Sequence, residues 1–143
     1  MDNCVFCLIL NREADASFVY QDEFCVAFLD IQPINPGHAL VVPTEHVASL
    51  ADLDDDISAH LMIVAKRLAA ALYNSDLGPT GVNLLLADGE SAGQDVFHVH
   101  LHVIPRAEED GFGFKFAPSY WDLPTREDLE SVARQLRKAI ELQ

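Results

Sequence analysis

Hydrophobic and polar positions along the chain alternate with two different periods. Phe18-Val19-Tyr20-Gln21 and Phe24-Cys25-Val26-Ala27-Phe28-Leu29 flank Asp22-Glu23 and read as two strands around a tight turn. A loop rich in turn formers, Asp30 to Gly37, leads into His38-Ala39-Leu40-Val41-Val42-Pro43, a third strand closed by proline. Past Asp52, Asp54, Asp55 and Asp56 the period changes. Ile57, Leu61, Val64, Leu68 and Leu72 follow the three-and-four spacing of an amphipathic helix, and acid at its start suits the helix dipole. Gly78 and Pro79 stop it, and Val82 to Leu86 resumes an extended run. A small-residue loop over 88–95 precedes a last apolar run. Thr125-Arg126-Glu127-Asp128 then has the form of a capping box before a helix carrying Leu129, Val132, Leu136 and Ile140 on one face. These periods predict a mixed α and β chain with about five strands and two longer helices.

That last apolar run is His98-Val99-His100-Leu101-His102-Val103-Ile104-Pro105, which holds three of the six histidines at alternate positions. On a strand the three imidazoles share one side, leaving Val99, Leu101 and Val103 for the core. A strand gains no stability from three histidines in register, whereas imidazole suits nucleophilic, proton-transfer or metal work near neutral pH.

Cys4-Val5-Phe6-Cys7 is half of a tetrahedral zinc site, since two intervening residues let both thiolates meet one metal. The same spacing also fits a redox pair or two buried thiols. Histidines 38, 46, 60, 98, 100 and 102 are the available partners. His60 falls within the helical pattern as a partly exposed residue, His38 opens a strand where packing suffices, and Cys25 reads as a small core residue. Gly111-Phe112-Gly113-Phe114, followed by Tyr120 and Trp121, is irregular and suits either covering a pocket or filling core.

Composition narrows the partners. Half of the 143 residues are hydrophobic and 22% are charged, which fits one folded domain over 1–143 that buries a core without disulfides. Nine basic residues against 23 acidic ones leave a net charge of −14, excluding nonspecific binding to nucleic acid or an anionic membrane. A small phosphorylated ligand remains open to a pocket of backbone N–H groups and imidazoles. The short apolar stretch Cys4 to Leu10 follows Asp2 and is no secretory leader, and no run is long enough to span a bilayer, so a cytoplasmic protein with reduced thiols is expected.

Taken together, the histidine run with Ala92-Gly93-Gln94 before it and Pro105-Arg106 after it resembles the signature of the histidine triad family of nucleotide-binding hydrolases and transferases. Cys4-Val5-Phe6-Cys7, Phe28-Leu29-Asp30-Ile31, Pro36-Gly37-His38, Val42-Pro43-Thr44-Glu45-His46 and His60-Leu61-Met62-Ile63-Val64 extend the likeness over residues 4–106; the tail, 107–143, matches less. The resemblance implies an α+β fold with a mainly antiparallel sheet and helices packed against one side, assembled as a homodimer. It implies a nucleoside phosphate cleaved at the α-phosphorus, such as an adenosine phosphoramidate, through a nucleotidyl-histidine on His100 with His102 assisting the leaving group. Asp30 would hold the ribose, Ile31 would pack on the base, and backbone N–H groups of Gly93, Gln94 and Asp95 would face phosphate. Cys4, Cys7, His46 and His98 would close around a structural zinc. Ala87 and Asp95 depart from the pattern, replacing an amide and a hydroxyl residue, and a carboxylate near phosphate is unfavourable unless it points away. Two rival readings stand beside this one. In the first, His98, His100 and His102 ligate a catalytic ion, which requires a bulge because same-face positions span roughly 13 Å of strand. In the second, the protein binds nucleotide with little turnover.

Overall fold

The computed structural model describes residues 4–143, which divide after Gly111 into two compact units. The first is built on a five-stranded antiparallel sheet in the order β1-β2-β3-β5-β4. Its strands are β1 (Phe18–Gln21), β2 (Cys25–Leu29), β3 (Ala39–Pro43), β4 (Gly81–Leu86) and β5 (Leu101–Arg106). β1 and β2 form the expected hairpin, turned by Asp22, whose Oδ1 accepts the amides of Phe24 and Cys25 at 2.9 and 2.8 Å. The long helix α2 (Asp55–Tyr73) starts where the acids predict, with the Asp54 carboxylate capping the amides of Asp56 and Ile57.

Alternation along the strands sorts side chains into two cores. Cys25, Ala27, Val41, Leu101 and Val103 face α2 and pack with its Leu61, Val64, Ala65 and Leu72. Val26, Phe28, Leu40 and Val42 point the other way, against Phe6 and Ile9 of a short helix α1 (Val5–Leu10). Each fully buried Leu, Val or Phe contributes about 1.5–3 kcal/mol, so both faces stabilise the sheet. Helices therefore lie on both faces, which corrects the one-sided arrangement; α1 covers the face on which the histidines lie.

The second unit, residues 112–143, holds an aromatic cluster and the helix α3 (Arg126–Ile140). Phe116 stacks on Tyr120 with ring centres 4.0 Å apart, and Trp121 meets Tyr120 edge-on. Thr125 and Asp128 make the predicted reciprocal capping box. The apolar stripe of Leu129, Val132, Leu136 and Ile140 is exposed. Among the described residues no helix is long and apolar enough to cross a membrane.

Candidate active site and metal centre

β5 begins at Leu101, so His98 and His100 stand in the extended approach to the strand rather than within it. The alternation nevertheless holds. Val99 enters the α2-side core, while Phe6 lies edge-on to both His98 and His100, with ring centres 5.9 and 5.0 Å away. His102 pairs with Leu40 of β3 and Leu85 of β4, placing its imidazole on the same side.

Hydrogen bonds fix which nitrogen of each neutral ring carries the proton. His98 donates from Nε2 to the Pro43 carbonyl at 2.9 Å, turning its Nδ1 lone pair toward the Sγ atoms of Cys4 and Cys7, 3.6 and 3.7 Å away. His46 brings its Nδ1 within 3.2 Å of the Cys7 sulfur. Donor atoms of Cys4, Cys7, His46 and His98 all lie within 4.8 Å of one another. Two thiols and two imidazoles are a borderline-soft donor set, and His98 already presents an unprotonated nitrogen, so the four residues fit zinc. Burial and its neighbour Cys4 push the Cys7 thiol up, and a bound cation reverses that cost.

His100 donates from Nδ1 to the His98 carbonyl at 2.7 Å, which leaves its Nε2 as a bare lone pair. His102 is set by a relay. The Ile34 amide donates to His38 Nδ1 at 3.1 Å, so neutral His38 carries its proton on Nε2 and donates it to His102 Nδ1 at 2.9 Å. The His102 proton then sits on Nε2. Burial pulls His38 down, against the opposing charge of Asp30, and burial with the neighbouring His100 and His38 pulls His102 down to about 4, so both rings are neutral at pH 7. His38 is therefore not the packing residue expected from its place at the head of β3. Its position depends on Gly37, whose φ of +95° and whose neighbours Leu72 and Leu77, 2.8 Å from where a Cβ would stand, admit only glycine.

His100 and His102 line a cavity of about 260 Å³ with Val5, Phe6, Phe28, Leu40, Asp30, Ile31 and Asp95. Apolar walls meet two imidazoles and three carboxylates, those of Asp15, Asp30 and Asp95, a lining with groups for a base, a sugar and a phosphate. Asp30 accepts the Gln32 amide through Oδ1, and its Oδ2 stands 3.7 Å from His38 Nε2. Ile31 is 96% exposed and stands in the cavity lining. A larger cavity, about 530 Å³, runs between β2, β3 and the end of α2. Its lining includes Leu29, Leu68, Leu72 and Leu77 together with Asp30 and His38 but neither His100 nor His102, so the smaller cavity is the one that holds both of these imidazoles.

The loop over 88–95 differs from expectation. The Gly93 amide bonds the Glu90 carbonyl, the Gln94 amide bonds the Gly89 carbonyl, and the Gln94 side chain braces Gly89, Ala48 and Val96. Gly93 and Gln94 thus spend on the loop the N–H groups assigned to phosphate. The Asp95 amide makes no hydrogen bond among the described residues, and of these three residues Asp95 is the one that lines the cavity. The Asp95 side chain is exposed, and Ala87 is buried.

A sheet of this order with a histidine triad beside a Cys2His2 cluster defines a class, and the sequence agrees: residues 11–109 match the HIT domain family. The chain belongs to that family. It is 47% identical over 117 residues to an uncharacterized HIT-like protein of Borreliella burgdorferi, covering 80% of this chain and 84% of that one. It is 34% identical over 139 residues to the adenosine 5'-monophosphoramidase hnt1 of Schizosaccharomyces pombe, covering 96% and 98%. A crystal structure of a HIT family protein from Bacillus anthracis superposes with a TM-score of 0.86 at 40% identity, over 96% of this chain and 97% of that one. A Zn-bound histidine triad family protein from Mycobacterium smegmatis superposes with a TM-score of 0.75 at 37% identity, over 96% and 98%.

Proposed function

We propose that the protein hydrolyses adenosine phosphoramidates, or related nucleoside monophosphate conjugates, at the α-phosphorus through a covalent intermediate on His100. The observation that carries this reading is the His100 Nδ1–H bond to the His98 carbonyl, which leaves Nε2 unprotonated in the cavity. In the first step Nε2 bonds to phosphorus and the bond to the leaving amine breaks, the amine taking its proton from water. The imidazolium that results is steadied by the His98 carbonyl. In the second step water attacks phosphorus and gives its proton to the hydroxide left by the first, the histidine bond breaks and the monophosphate leaves. His102 is neutral, and a neutral imidazole has no spare proton to give up. Its Nε2–H therefore acts as a hydrogen-bond donor to a phosphoryl oxygen or to the leaving nitrogen, and in this way assists the leaving group.

Asp30 and Ile31 are read as holding the ribose and base, and the Asp95 amide as facing phosphate, with Gly93 and Gln94 shaping its loop. Cys4, Cys7, His46 and His98 would hold a structural zinc, which supplies no chemistry to the phosphorus and ties α1 to the triad. Three free thiols go with a cytoplasmic location. A homodimer is supported by the exposed Met62, Ile63 and Tyr73 of α2 and Leu84 and Leu85 of the edge strand β4, and the whole chain is taken as one functional domain. The rival with three histidines on one ion is unsupported: His98 groups with Cys4, Cys7 and His46, His102 groups with Asp30 and His38, and His100 joins neither group.

The test is to quench the protein seconds after mixing with an adenosine phosphoramidate and weigh its peptides. A nucleotidyl mass on the peptide containing His100 is expected, and its absence under single-turnover conditions with product forming would reject the intermediate. A second experiment addresses the relay. Replacing His38 by Ala removes the donor to His102 and should lower kcat by roughly 10- to 100-fold with a smaller change in KM. His38→Gln offers an N–H to the same acceptor and should recover part of the loss; equal kcat in parent and His38→Ala would rule the relay out.

A further inference from the structure

A second group of ligand-bearing side chains lies outside the nucleotide cavity, where α2 meets the β1–β2 hairpin. Asp22 Oδ2 accepts from His60 Nε2 at 2.6 Å and from the Tyr20 hydroxyl at 2.7 Å. Ligand atoms of Asp22, Cys25 and His60 all lie within 4.8 Å of one another. We propose that these three residues form a second, zinc-class cation site, with its fourth position open to water.

Four observations carry the assignment. First, an imidazole and a phenol both donate to Asp22 Oδ2 while the Cys25 sulfur stands within 4.8 Å of the ligand atoms of Asp22 and His60, and a cation can take the place of the imidazole proton. Second, the nitrogen that faces the carboxylate is free to ligate. No other described group bonds the second ring nitrogen of His60, so the proton moves from Nε2 to Nδ1 while Nε2 takes the metal. The group formed by Asp30, His38 and His102 fails this requirement, because the Ile34 amide already donates to His38 Nδ1 and would oppose a proton there. Third, thiol, imidazole and carboxylate together favour zinc over magnesium or calcium. Fourth, the site is reachable, since the side chains of Asp22 and His60 are 24% and 25% exposed while Cys25 closes the inner wall at 0%. Arg67 bonds the Tyr20 hydroxyl at 3.5 Å and makes no ion pair with Asp22.

Binding balances as follows. Cys25 releases one proton to solvent and becomes thiolate, His60 ligates through Nε2 with one proton kept on Nδ1 and any second proton released to solvent, Asp22 remains ionised, and two negative charges meet a divalent ion. The Asp22 Oδ1 bonds to the hairpin amides are untouched, so the turn survives loading. A filled site would join α2 to the hairpin through metal–ligand bonds in place of one histidine hydrogen bond.

Cobalt(II) is the probe, because its thiolate complexes absorb in the near ultraviolet. Metal-free full-length protein should take up two equivalents with thiolate absorption, and the Cys4→Ser/Cys7→Ser protein should keep one. Adding Cys25→Ser to that protein should abolish the absorption. Adding His60→Gln, which keeps an N–H donor for Asp22, should weaken the remaining site at least tenfold. Wild-type protein first loaded with one equivalent of zinc reads the second site directly and needs no variant to fold. No thiolate absorption from cobalt in both that sample and a folded Cys4→Ser/Cys7→Ser protein would overturn the proposal, as would affinity unchanged by His60→Gln.

Discussion

His100→Ala is expected to abolish hydrolysis of an adenosine phosphoramidate, by roughly 10³- to 10⁶-fold in kcat, while affinity for adenosine monophosphate changes by less than about tenfold. The asymmetry follows from where the ring sits. His100 is buried in the cavity wall, with Nδ1 committed to the His98 carbonyl and Nε2 uncommitted. The groups assigned to sugar and base, Asp30 and Ile31, belong to the same lining but to a different segment of the chain, the loop after β2. Removing the imidazole deletes the atom that bonds phosphorus and leaves the nucleoside contacts in place. The substitution also empties space beside Phe6, whose ring centre is 5.0 Å away, so a stability cost of about 1–3 kcal/mol is expected and the variant must be shown to be folded. His100→Asn separates the two effects, since its side-chain N–H can still meet the His98 carbonyl but it offers no nitrogen lone pair to phosphorus. Single-turnover kinetics with calorimetric titration of nucleotide decide the matter. Rates within tenfold of the parent in both variants would place the nucleophile elsewhere.

Much of this site was legible in the sequence because it follows from periodicity. Alternation from Cys25 to Phe28 and from Leu40 to Val42 states which side chains share a face, and the same rule puts His98, His100 and His102 opposite Val99, Leu101 and Val103. The three-and-four spacing from Ile57 to Leu72 and the Thr125 to Asp128 box locate α2 and α3 for the same reason. What escaped depends on partners distant in the chain. α1 has apolar residues on every side and no side-chain cap at Cys4, so it carries no local helical signal; Phe6 and Ile9 hold it through the sheet. The role of His38 requires the Ile34 amide on one nitrogen and the Leu40–His102 register on the other. Gly93 and Gln94 show a flexible loop in sequence, but not which carbonyls their amides meet. His60 looks like any half-exposed helix residue until the hairpin brings Asp22 to it.

Stripping zinc with a chelator, or replacing both Cys4 and Cys7 by Ser, is expected to lower stability by about 4 kcal/mol relative to protein at free zinc a thousandfold above Kd. That corresponds to a fall in Tm of about 10–20 °C for a chain of this size. The loss should concentrate at the N-terminus. α1 spans only six residues, far below the length at which a helix holds itself, and its anchors are the thiols and the packing of Phe6 and Ile9. Amide hydrogen exchange should therefore quicken first over residues 5–10 and then over Val26, Phe28, Leu40 and Val42, the side of the sheet that α1 covers, while the α2-side core exchanges as before. Turnover should fall less than stability does, because zinc would be held by His98 and would reach His100 only through the His98 carbonyl and the ring of Phe6. A drop in kcat of up to about tenfold, recovered on adding zinc, is expected at a temperature where the metal-free protein remains folded. Complete and zinc-reversible loss of turnover in folded metal-free protein would instead move the ion from scaffold to catalyst, and the lone pair on His100 would no longer explain the reaction.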